Sequence, residues 1–125
     1  MITLSELNPR KFPTTPSITA NLDVLLERIN IIRSAYNKPM KVTSGLRDQG
    51  MQNALIAAGR SNAPHSHHLL GEAVDIADSD CSLYNWCRTN EKTLEEAKLW
   101  IETRQGGWVH FQSVPPKSGS RFFIP

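Results

Sequence analysis

Apolar residues recur along the chain with two periods, and the changes of period mark the elements. Leu22, Leu25, Leu26, Ile29, Ile32 and Tyr36 follow helical spacing, with Thr19 as N-cap and a stop near Asn37-Lys38-Pro39. That stripe is assigned to the core. Residues 1–18 hold three prolines among several Ser and Thr and read as an extended arm wrapping the domain, without a stable helix. Met40 to Ser44 alternates as a strand does and stops at Gly45. Asp48 to Ala58 reads as a helix with Met51, Leu55 and Ile56 inward and Gly59 as its stop.

Ser61 to Gly71 is loop-like, and Ala73 to Ala77 is a short strand. Strand alternation sets Ala73, Asp75 and Ala77 on one face, with Val74 and Ile76 on the other. A helix is expected from near Asp80 through Leu83, Trp86 and Cys87, then a shorter one around Thr93 to Ala97. Leu99 to Glu102 and Trp108 to Gln112 read as two strands joined through Gly106-Gly107. The tail from Pro115 is turn-rich, and its Phe122-Phe123-Ile124 end is expected to pack down.

The 125 residues fit one domain over 1–125, with an arm at 1–18 and a packed tail at 113–125. Apolar residues at 39% and charged residues at 21% allow a core and exclude a disordered polyelectrolyte. The net charge of +2 comes from scattered Lys and Arg, which gives no nucleic-acid footprint. No stretch reaches the roughly 20 apolar residues of a membrane span. The N-terminus has no basic start followed by an apolar run, so no secretory signal is expected. Cys81 and Cys87 lie six apart, off a common helix face, and are expected to remain reduced thiols.

The candidate chemistry lies in the histidines. His65, His67 and His68 cluster, while His110 stands far away among β-prone residues, and Asp75 follows His68 by seven positions. Catalytic zinc takes three protein ligands and keeps a fourth position for water, and two imidazoles with one carboxylate satisfy that rule. Solvated loop histidines would account for the spacing equally well.

The longer string from Ser66 to Asp75 has the form S-x-H-x-x-G-x-A-x-D and resembles the zinc D-alanyl-D-alanine peptidases of the VanY type. Ser44-Gly45-Leu46-Arg47 is similar to that family's S-G-aromatic-R element, and Trp108-Val109-His110 to its W-x-H element. The likeness runs from about residue 40 to 112. It implies a small α+β domain with an antiparallel sheet and flanking helices, as in hedgehog domains and lysostaphin-type endopeptidases.

The resemblance also implies zinc held by His68, Asp75 and His110. It makes Arg47 the residue that fixes substrate, through a carboxylate, and Ser66 a brace of the site. His65 and His67 read as loop residues near the cleft, with His67 in reach of substrate, and Trp108 as cleft wall. The family's usual carboxylate three residues before the last histidine is replaced by Gly107, and Leu46 replaces its aromatic residue. Because paired strands bring cross-hairpin residues to roughly 5 Å, Glu102 is favoured over Glu72 as general base.

The implied reaction is zinc-assisted hydrolysis of peptidoglycan peptides by a carboxypeptidase or endopeptidase, acting at the cell wall. A monomer is expected. Without a secretory signal, the protein is expected in a host cytoplasm before release or in a phage virion. Two rival readings fit the same residues: a catalytically silent zinc module that binds wall peptides, and a phage structural component.

Overall fold

A threonine followed by proline decides where the long helix begins. In the computed structural model, which describes residues 1–59, 66–103 and 106–124, helix α2 spans Pro16–Tyr36. Thr15 Oγ1 caps it by accepting from the Ile18 amide at 3.2 Å. Proline at the first position sacrifices no hydrogen bond, so the helix gains a turn ahead of its apolar stripe. Thr19 is therefore inside the helix, and is not its cap. The inward stripe is Leu22, Leu25, Ile29 and Ile32.

The arm also differs from expectation. Leu4–Leu7 forms a short helix, α1, closed by a capping box between Thr3 and Glu6. Leu7 is wholly buried, and Ile2 exchanges two backbone hydrogen bonds with the Asn30 side chain on α2. A local cap and one core leucine make a helix where proline content suggested none.

Strand β1 is Val42–Ser44, and α3 is Gln49–Ala57, capped by Asp48, whose carboxylate accepts from the Met51 amide at 2.8 Å. The buried residue of α3 is Gln52, whereas Met51, Leu55 and Ile56 are half-buried. A 3-10 turn at His67–Leu70 leads into β2, Ala73–Ala77. Then come α4 (Ser82–Thr89), α5 (Glu91–Ala97), β3 (Trp100–Glu102), β4 (Trp108–Gln112) and β5 (Phe122–Phe123).

The sheet order is β1-β2-β4-β3-β5. The first four strands pair antiparallel, as expected, and β5 adds on parallel to β3, which makes the sheet mixed. Phe123 is buried by this pairing, while Ile124 is 86% exposed. Val74, Ile76, Val109, Phe111 and Ile101 join the core residues of α2, α4 and α5 on one face of the sheet. The opposite face carries the polar residues of the site.

Candidate metal centre

Register places the chemistry. Ser44 stands opposite Asp75, and Asp75 opposite His110. The β3–β4 register, Trp100 with Gln112 and Ile101 with Phe111, sets Glu102 opposite His110 when carried one residue further. Glu102 in turn faces Phe123. Side chains directly opposite in a ladder share a face, so one row crosses the sheet as Ser44, Asp75, His110, Glu102 and Phe123.

His68 reaches this row from the 3-10 turn. Ser66 Oγ caps the turn by accepting from the His68 amide at 3.2 Å, and Gly71 ends it with φ 72°. The His68 Nδ1–H donates to the Gly45 carbonyl at 2.9 Å, which turns Nε2 to within 3.3 Å of Asp75 Oδ1. His110 Nδ1 lies 3.0 Å from the same oxygen. One ligand atom from each of His68, Asp75 and His110 falls within 4.8 Å of the others, and all three residues are buried.

Gly45 holds its place because nothing larger fits there. A Cβ would overlap the Leu7 carbonyl, which accepts from the Leu46 amide at 2.7 Å. The end of α1 thus supports the loop whose carbonyl orients His68.

Burial alone would push the Asp75 carboxyl up, but hydrogen bonds and charge from His110 and His68 hold it well below the usual carboxylate range. Burial keeps His68 below its ordinary value despite the opposing pull of Asp75. Burial also acts to lower His110, yet Asp75, then the charge of Glu102 and the Gln112 hydrogen bond, raise it. Two imidazole nitrogens and a carboxylate oxygen, all electron-pair donors, converge on one point. That donor set fits zinc, which in catalytic sites takes three protein ligands.

A profile of the family described as Peptidase M15 matches residues 2–112. The chain belongs to the peptidase M15 family. It is a zinc metallopeptidase, and the His-Asp-His group suits that cofactor. No match is found among curated proteins. Among solved structures, the crystal structure of the Serratia marcescens L-Ala D-Glu endopeptidase ChiX is similar, with TM-score 0.58 and 24% identity, over 84% of this chain and 92% of that one. At that identity the likeness shows a common fold.

Around the centre of this M15 peptidase, Arg47 meets the side chains of Ser44, Gln52 and Asp75. Its Nε donates to Ser44 Oγ at 3.0 Å, one terminal nitrogen to Gln52 Oε1 at 3.0 Å, and the other meets Asp75 Oδ2 at 3.4 Å. Arg47 also lines a cavity of about 260 Å³ with Phe12, Pro13, Ile18, Leu46 and Leu69. His67 pairs with Glu72 at 3.2 Å, and Trp108 is exposed on the His110 side of β4. His65 lies outside the described residues.

Gly107 has φ 94° and its carbonyl accepts from the Asp78 amide at 2.8 Å. A carboxylate-bearing residue there would be strained. Sequence reasoning missed Gln52 and Gln112, both buried amides that touch site residues. Strand alternation carries a signal for Gln112, two positions beyond His110 and so on the same face, whereas the Gln52 contact follows from tertiary packing.

Proposed function

We propose that this peptidase hydrolyses peptide bonds of bacterial peptidoglycan, with His68, Asp75 and His110 holding zinc. The observation that carries this reading is the convergence of His68 Nε2, Asp75 Oδ1 and His110 Nδ1 on a buried sheet face. The endopeptidase named for the similar Serratia structure cleaves an L-Ala D-Glu bond, which supports wall peptide as the substrate class. When bound, zinc supplies Lewis acidity toward the scissile carbonyl and toward the attacking water.

Glu102 takes the proton from that water and delivers it to the departing amine nitrogen. Its position opposite His110 supports this role, and its charge acts on that ring. Glu72 has its carboxylate turned to His67, which argues against it as the base. Arg47 anchors Asp75 through Oδ2 and meets a substrate carboxylate from the cavity it lines. His67 and Trp108 border the substrate, and Ser66 braces the backbone of His68.

The protein works at the cell wall as a monomer, reached from a host cytoplasm or as part of a phage particle. Mass spectrometry of purified peptidoglycan incubated with zinc-loaded protein tests the activity. New stem-peptide or cross-bridge termini are expected, absent with His110→Ala. Unchanged muropeptides would favour a silent wall-peptide-binding module, the reading to which Gly107 in place of a carboxylate gives some support.

A further inference from the structure

Both ring nitrogens of His110 face oxygen, but the two contacts are not equivalent. Nδ1 lies 3.0 Å from Asp75 Oδ1, and Nε2 lies 3.0 Å from Gln112 Oε1. The amide of Gln112 can stand only one way round, because its nitrogen donates to the Val114 carbonyl at 2.9 Å. A carbonyl accepts and never donates, so Oε1 is the end turned to His110. Asp75 Oδ1 is an acceptor as well, so without metal both ring nitrogens can donate. When a metal takes the place of the Nδ1 hydrogen, the one hydrogen left on the neutral ring must sit on Nε2, against Gln112 Oε1.

His68 receives the opposite assignment by the same reasoning. Its Nδ1–H is taken by the Gly45 carbonyl, which leaves Nε2 bare toward Asp75 Oδ1. Two outer acceptors, one a backbone carbonyl and one an amide side chain, thus select different nitrogens on the two rings. Both selected nitrogens point at the same carboxylate oxygen.

The cost of placing Gln112 where it is argues that its hydrogen bonds matter. It is 2% exposed, between Ala73 and Trp100 in the ladder. A primary amide buried there gives up hydration that an apolar residue would not need, and the bonds to His110 and Val114 offset that loss.

We propose that Gln112 is a positioning residue that selects the metal-binding nitrogen of His110: by accepting Nε2–H it presents Nδ1 to zinc. The inference rests on the assignment of His68, Asp75 and His110 as ligands. Gln112 is not itself a ligand and touches no substrate. Its effect is on which tautomer the ring holds and on how firmly the ring is aimed.

The test combines zinc titration against a chromophoric chelator with nitrogen–proton NMR of the imidazoles in the zinc-loaded wild-type protein. The NMR should show His110 protonated on Nε2 and His68 on Nδ1. Gln112→Met, which keeps the volume and loses the acceptor, should bind zinc about ten- to a hundredfold more weakly, whereas Gln112→Glu, which keeps it, should stay within about threefold. Zinc-free melting should separate these effects from a loss of fold.

A His110 ring protonated on Nδ1 in the zinc-loaded protein would overturn the proposal, and that reading needs no variant to fold. So would Gln112→Met binding zinc as tightly as wild type while His110→Ala loses it. If His110→Ala itself binds zinc like wild type, the ligand assignment falls first and the role of Gln112 falls with it.

Discussion

Gly107 occupies a conformation that side chains disfavour, and the β3–β4 register puts Glu102 opposite His110, which is why Glu102 is proposed as the base. Glu102→Gln should retain zinc and fold yet lose turnover by on the order of a hundredfold or more, as expected for a positioned proton acceptor. Glu72→Gln should lose far less in the same muropeptide assay. The reverse ranking at equal zinc content would exchange the two assignments.

The cysteines give a second prediction at this scale. Burial, aided by the charge of Asp78, pushes the Cys87 thiol up to about 12. The thiolate is the reactive form, so Cys87 should resist a disulfide reagent at pH 8 in the native protein. A Cys81→Ser variant should show no fast-reacting thiol until it is denatured, when one should appear. Prompt native labelling would contradict the burial of Cys87.

Most elements were legible because their signals are local. Alternation defined β2 and placed Asp75 on the site face, and the apolar stripe of α2 is the buried one. What escaped depends on context: a cap at Thr15 beside a proline, a one-turn helix at Leu4–Leu7, and a parallel strand supplied by the tail. Of the site, the string from Ser66 to Asp75 and the distant His110 stood out, but nothing local joined Gln52 to Arg47.

The contact between α1 and Gly45 turns one of those missed elements into a testable link. Gly45→Ala must move either the Leu7 carbonyl or its own. It should cost about 1–3 kcal/mol in denaturant unfolding of the zinc-free protein, the usual range for overpacking. Because the Gly45 carbonyl orients His68, zinc affinity should also fall, by about tenfold. Unchanged affinity alongside lowered stability would show that His68 is aimed by something else.

For the molecule as a whole, a metal held only by the native state adds its binding free energy to folding. At free zinc a thousand times the Kd that contribution is about 4 kcal/mol. Chelation should therefore lower the melting temperature clearly in the wild type and in His67→Ala. In His68→Ala the melting temperature should hardly respond. A His67→Ala protein insensitive to chelator would mean that the wrong neighbour had been chosen.

The row that crosses the sheet takes one residue from each strand, in the spatial order 44, 75, 110, 102, 123. During synthesis those positions leave the ribosome in a different order. A nascent chain displays His68 and Asp75 long before His110, and two ligands make a poor zinc site. With His68, Asp75 and His110 as the proposed ligands, tight capture of the metal would wait until β4 has emerged, and occupancy would then report that the strands have found their places.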